Sequence, residues 1–359
     1  MLTTKQTAAE AAVELDNEEL GSVLETSPGP RTPKKKSKYG GIHARDNFDG
    51  TVMALIPFLG YLLFTLFPMA LSLVVSFTEL HSYYFEDMKF IFLDNYIEIF
   101  KSKMFYRSLG NSLYFTLSVP INMGASLFIA HLLTKHVKLK GFARTILFMP
   151  TICSGVGVTL MWSWIYEPQH GVLNTIFTSA SWIQQPITWC IRLWEDIFDV
   201  KILTSTGTIG FTTNVTTFMP SVLFMWLWKS GTNIVLMQSA LANVDESLKE
   251  AARIDGATEF QVFWKIIFPG VTPTLFYQLV MNFLAAMQEM SVMQVLAKSG
   301  MEPGYAPLTL AYYQYRMAFV DVMTDGFGMG CAMGWVIALM IIIVTRVQFW
   351  ASKKWVNYD

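Results

Sequence analysis

The sequence predicts an all-α polytopic membrane protein with six transmembrane helices and both termini cytoplasmic. Three observations carry that prediction. Hydrophobic residues make up 53% of the 359-residue chain and charged residues 15%, where a soluble domain carries about a quarter charged; the mean hydropathy of +0.38 points the same way. Six apolar stretches reach the roughly 20 residues that a bilayer span requires. Lys and Arg concentrate in alternate connecting segments, as the positive-inside rule demands.

The first element is not membrane. Residues 1–50 are polar, with no apolar core that a secretory signal would need. An acidic stretch (Glu14, Asp16, Glu18, Glu19) gives way to Pro28, Pro30 and Pro33 and then to Lys34, Lys35, Lys36 and Lys38. The composition reads as a cytoplasmic, disordered tail ending in a topology signal, with a lipid-headgroup-binding arm as the alternative. Residues 51–359 form the membrane domain. Its apolar runs are Val52–Phe77, Ser112–Leu133, Thr145–Trp164, Pro220–Leu241, Thr274–Leu296 and Met329–Phe349. Helices are expected because each satisfies its own backbone polar groups in lipid. Pro57, Pro68, Pro120 and Pro150 mark expected kinks.

With the N-terminus inside, segments 1–51, 134–144, 242–265 and 346–359 hold 17 of the 26 Lys and Arg. The outside loops, 78–111, 165–219 and 297–328, hold eight. Lys229 remains inside the fourth run.

Several function classes are excluded or disfavoured. A net charge of −1 gives no basis for nucleic-acid binding. Cys153, Cys190 and Cys331 are too scattered for a disulfide framework or a zinc site. No G-x-x-x-x-G-K-[ST] phosphate loop occurs, so energy for uphill work comes from elsewhere. The five histidines (His43, His81, His131, His136, His170) do not cluster as a membrane-embedded catalytic centre would require.

The inside segment 243–269 is the most informative. Ser247 and Glu250 stand at capping-box spacing, and Thr258 and Gln261 form a second such pair. Leu248, Ala251, Ala252 and Ile254 supply an apolar side, and Phe260, Phe263 and Trp264 apolar contacts beyond it. Gly256 fits a helix stop, since glycine takes the left-handed conformation without a Cβ penalty. The expectation is two short helices joined by a sharp glycine turn on the inner membrane face, with Pro269 and Pro273 opening the fifth span. On these residues alone, an ordinary amphipathic interfacial loop is the better description, because capping boxes are common.

Glu250-Ala251-Ala252, then Asp255-Gly256-Ala257, then Ile266 through Pro269 resembles the EAA loop of binding-protein-dependent ABC importer permeases, in their carbohydrate-uptake branch. The resemblance continues along the chain. Residues 90–96, ending Leu93-Asp94-Asn95-Tyr96, resemble the family's F-x-G-L-x-N-Y, with Phe92 in place of the glycine. Arg144 to Pro150 resembles its R-T-x-x-F-x-P. Trp164, Pro168, Gly171 and Asn174 resemble the exit from the third span. Trp228-Lys229 and the Tyr315 to Phe319 stretch match further family patterns. Three features depart from it: the long tail, an apparent insertion at Ile183–Leu203 in the outer loop 165–219, and Ser299 to Pro303 where the family is glycine-rich.

The resemblance implies a type I ABC importer permease fold and no catalysis in this chain. It implies that ATP and Mg are bound by a separate ATPase dimer, against which Glu250, Ala251, Ala252, Asp255, Gly256, Ala257 and Pro269 form the coupling contact. It implies a second, related permease as heterodimer partner, an extracytoplasmic solute-binding protein, a carbohydrate substrate and residence in the bacterial cytoplasmic (inner) membrane. A polyol or glycerol-phosphate type solute is the alternative cargo, and a stand-alone ion-coupled carrier the alternative mechanism.

Polar residues in the spans are candidates for the substrate pathway. Gln278, Asn282 and Glu289 fall within about 40° on a helical wheel, and Lys229 lies mid-span. They line a pore on one reading and join packed helices on the other.

Overall fold

The computed structural model describes residues 40–81, 88–134, 140–179, 185, 188–192, 195, 202–203, 208–297, 301–321 and 326–357. The expectations for the tail to residue 39, and for most of the insertion at 183–203, lie outside the described residues. Residues 1–68 and 69–359 form two separate compact units.

In the first unit, α1 (Gly40–Tyr61) passes through a wide π turn at Leu62–Leu66 into α2 (Phe67–Val75), which continues into the second unit. The cause is Pro68. Proline lacks an N–H, and its ring collides with the carbonyl four residues earlier. The wide turn instead lets the Phe67 N–H reach the Leu62 carbonyl. The same device recurs at Pro269, where the turn Phe263–Ile267 brings the Phe268 N–H to the Phe263 carbonyl.

After α2 come a two-residue antiparallel pair, β1 (Thr78–Glu79) and β2 (Lys89–Phe90), and the short α3 (Asp94–Lys101). The second apolar run is α4 (Lys103–Thr116) and α5 (Ser118–Thr134), starting where the Ser102 hydroxyl accepts the Met104 N–H at 3.2 Å. The third run, expected as one span, is two helices, α6 (Lys140–Ile152) and α7 (Gly155–Ile165), bent by 103°. Between them Ser154 is extended, with ψ 133, and turns the chain out of the helix. After α8 (Val172–Ser179) the fourth run also breaks, into α9 (Val215–Trp228) and α10 (Gly231–Ala242), with Lys229 and Ser230 at the break.

On the far side of the loop, α11 (Glu246–Ile254) is followed by α12 (Glu259–Val262), which runs through the second wide turn into α13 (Phe268–Met287). The fifth span therefore begins in the loop, earlier than Thr274, and ends at Met287 rather than Leu296. The Glu289 carboxylate accepts the Val292 N–H at 2.9 Å and starts a new short helix, α14 (Ser291–Leu296). The chain closes with α15 (Leu310–Tyr315) and α16 (Phe327–Ser352).

Among the described residues four helical stretches are long and apolar enough to cross a bilayer: Gly50–Val75, Lys103–Thr134, Glu259–Met287 and Phe327–Ser352. The bent α6–α7 pair makes a fifth when taken as one span.

Three apolar clusters hold the second unit together. One gathers Phe115, Trp162, Tyr166, Phe218 and Met225 with α14. Another joins α3 and α4 to α16 through Ile99, Phe105, Met317 and Met333. The third, around Leu127, Met237, Val262 and Leu275, sits at the loop end of α5, α10 and α13.

Gly231 is the tightest crossing near the candidate site. A methyl group there would press on the Leu147 carbonyl oxygen and lie 2.9 Å from Thr151 Cγ2. At Gly124 an added methyl meets open space. Gly231→Ala should lower stability by about 1–3 kcal/mol through overpacking, read as a fall in the thermal midpoint of the purified protein. Gly124→Ala should leave that midpoint unchanged or raised.

Candidate functional site

The segment 243–269 folds as an elbow. Its first helix, α11, is capped by Asp245 rather than by Ser247: the Asp245 carboxylate accepts the Ser247 N–H at 2.9 Å. That backbone bond holds the carboxyl below the usual carboxylate range. The helix stops at Gly256, whose φ of 81 only glycine adopts freely. An added methyl would meet nothing within 4 Å, so backbone conformation, not space, requires the glycine. The turn closes with the Gly256 N–H on the Arg253 carbonyl at 3.1 Å and the Ala257 N–H on the Ala252 carbonyl at 2.9 Å. Beyond it the predicted Thr258–Gln261 capping box is formed in both directions.

An ion network ties the two arms. Arg253 donates from Nε to Glu259 at 3.0 Å and lies 3.6 Å from Glu246, which also pairs with Lys249 at 2.9 Å. The Glu259 bond, first, and then Glu246 and Glu250 hold the Arg253 guanidinium more firmly charged.

The elbow has two sides. Ala252, Ala257, Phe263 and Ile266 pack on the Leu127–Val262–Leu275 cluster. Glu250, Ala251, Asp255 and Gly256 are exposed. So are Leu248, Ile254, Phe260 and Trp264, with Ile254 at 86% and Phe260 at 73% exposure. These four side chains leave the elbow with large apolar groups open on an ordered segment. Pro269, half-buried, opens α13, and its carbonyl accepts the Thr272 hydroxyl at 2.7 Å. The C-terminal segment rests on the same corner, where the Asn357 N–H donates to Thr272 Oγ1 at 3.0 Å.

A second constellation lies between the spans. Asn233 of α10 donates to Asn122 Oδ1 at 2.8 Å and to Asn282 Oδ1 at 3.0 Å. Gln278 donates to the Asn233 carbonyl at 2.8 Å, and Asn282 to the Gln278 carbonyl at 2.8 Å. Gln278 is 1% exposed, and its Oε1 has no partner among the described residues. The structure thus brings Gln278 and Asn282 together as links between packed helices. Glu289 does not continue their stripe, because α13 ends at Met287 and the helical wheel stops with it. Asn122 and Asn233 were legible by the same rule, as amides inside apolar runs, and complete the cluster.

Lys229 sits at the α9–α10 break. Its ammonium lies 5.8 Å from the Trp226 ring centroid, close by Gly155 at the start of α7. Among the described residues no group of three or more His, Cys, Asp or Glu is placed to hold a metal ion.

Set against known proteins, residues 96–357 match the family described as binding-protein-dependent transport system inner membrane component. The chain belongs to that family. A probable ABC transporter permease protein, YesP of Bacillus subtilis (strain 168), is 30% identical over 88% of this chain and 94% of its own length. The lactose transport system permease protein LacF of Rhizobium radiobacter is 25% identical, covering 81% and 89%. A crystal structure of a bacterial alginate ABC transporter, in complex with an alginate pentasaccharide-bound periplasmic protein, superposes with a TM-score of 0.65. At 20% identity over 86% of this chain and 96% of the other, that likeness speaks for the fold alone. The chain is an integral membrane transport subunit and not an enzyme.

Two outcomes test the geometry. Asn233→Ala removes the side-chain bonds to Asn122 and Asn282 and should lower stability by about 1–2 kcal/mol, measured by thermal unfolding in lipid nanodiscs. Arg253→Glu should raise amide hydrogen exchange across residues 257–262 by about threefold, the scale of an exposed ion network. The exchanged pair Arg253→Glu with Glu259→Arg should restore protection.

Proposed function

We propose that this chain is the permease subunit of an ABC importer for carbohydrate, with the elbow at 243–269 as its coupling contact to a separate ATPase dimer. The observation that carries this is the elbow itself: a rigid, doubly capped turn bearing the E-A-A and D-G-A residues and presenting Ile254 and Phe260 outward. Those apolar groups suit a socket on the ATPase, and Glu250 a cationic partner at its rim. ATP and Mg belong to that partner subunit.

Carbohydrate cargo is supported by the lactose permease relative. An external solute-binding protein is supported by the family description and by the complex with a periplasmic protein that the alginate transporter forms. A second related permease completes the pathway as a heterodimer in the bacterial inner membrane. Taking α6–α7 and α9–α10 each as one broken span brings the count to six, with both termini cytoplasmic. The substrate pathway runs past Asn282, Gln278, Lys229 and Glu289; Lys229 and Glu289 stand at helix breaks, and broken helices leave polar groups available to a substrate.

The mechanism follows from rigidity. ATPase closure displaces the elbow as a body. Because α12 is continuous with α13 through the wide turn, displacement passes into the span directly. ATP inside and loaded binding protein outside shift the alternation only through different affinities for its two states.

Gly256→Pro cannot adopt the left-handed turn, because proline fixes φ near −65°, and Glu250→Lys reverses the rim charge. Each should abolish uptake while membrane insertion stays normal. Normal uptake in either would refute the coupling role. Affinity capture of the tagged protein in mild detergent should recover a stoichiometric P-loop ATPase and a second EAA-bearing permease.

A further inference from the structure

We propose that β2 and α3, between the first and second spans, form a membrane-surface anchor seated at the boundary between lipid headgroups and acyl chains. The inference needs only that the chain spans a membrane and is independent of the coupling role.

The helix α3 has three edges, not two. Asn95 and Ile99 face inward, at 6% and 0% exposure, and the Asn95 amide donates to the Ser76 and Thr78 carbonyls at 2.9 Å each. Asp94, Glu98 and Lys101 form an exposed polar edge. Leu93, Ile97 and Phe100 recur at i, i+4 and i+7 and form a third edge, apolar and about half exposed. A helix with only protein and water as neighbours needs two edges. The third matches a surface-lying helix with its apolar side in the lipid boundary.

Attachment places that edge at the bilayer border. Only Ser102 separates α3 from Lys103, the first residue of the helical stretch Lys103–Thr134 that is long and apolar enough to cross a bilayer. Aromatic contacts continue onto that run: Phe100 lies 5.3 Å from Phe105, and Phe105 5.3 Å from the exposed Tyr106. Lys101 and Lys103 flank the patch with cations suited to headgroup phosphates.

Phe92 is the second, independent observation. Its φ of 58 is a left-handed conformation that glycine enters freely and a bulky residue does not. The ring is 64% exposed and meets the equally open Phe90 edge-on at 5.9 Å. A strained backbone that displays a pair of Phe rings outward, beside the membrane border, fits apolar side chains inserted at the headgroup–acyl boundary.

The test is nitroxide labelling of the full chain in phospholipid nanodiscs, with Cys153, Cys190 and Cys331 first replaced by serine. Single cysteines at Ile97→Cys and Phe100→Cys probe the apolar edge, and Glu98→Cys the polar one. The expected result is several-fold more collision with oxygen than with a nickel chelate at 97 and 100, and the reverse at 98. Equal water access at all three sites overturns the proposal. Labels at 97 and 100 that are shielded only when other transporter subunits are added overturn it as well, and assign the face to a protein partner.

Discussion

Every backbone N–H and C=O inside a bilayer has to find a partner within the protein, because hydrocarbon offers none. The architecture depends on that constraint. Where the chain stays regular, helices meet it alone, as in the 26 residues of Phe327–Ser352. Where proline removes a donor, at Pro68 and Pro269, the helix widens by one residue and keeps its bonding. Where the helix breaks, at 153–154, 229–230 and 288–290, side chains and small residues gather. Glu289 bonds the backbone of α14, Gly231 lets α10 approach α6, and Lys229 stands over Gly155. Two of these irregular places also hold the charged groups Lys229 and Glu289.

The same constraint separates the two polar systems. In the elbow, water solvates Glu246, Arg253 and Glu259, so their ion pairs hold shape with little net energy. Between the spans, Asn122, Asn233, Gln278 and Asn282 have only each other and neighbouring carbonyls. Their bonds select one register of α5, α10 and α13. A mechanism in which those helices shift against one another has to exchange these bonds for others, with sugar hydroxyls as natural substitutes in the proposed pathway.

Much of the local structure was legible in the residues. Gly256 was readable as a left-handed stop, and Thr258 with Gln261 as a reciprocal cap, because both depend on neighbours within a few positions. The first cap was misplaced: Asp245 and Ser247 are both competent, and only the backbone path into α11 selects Asp245. The polar stripe was half right. Gln278 and Asn282 share a side of one helix, whereas Glu289 left it when its own carboxylate initiated α14.

The sequence by itself determined the membrane class, the positions of the apolar runs and the elbow, since these follow from composition, periodicity and local backbone preference. Tertiary structure alone decided that the third and fourth runs are broken, that Asn122 and Asn233 join Gln278 and Asn282, and that α3 carries a third, open edge. Those facts depend on which helices touch, and contact between segments a hundred residues apart leaves no period in the chain that makes it.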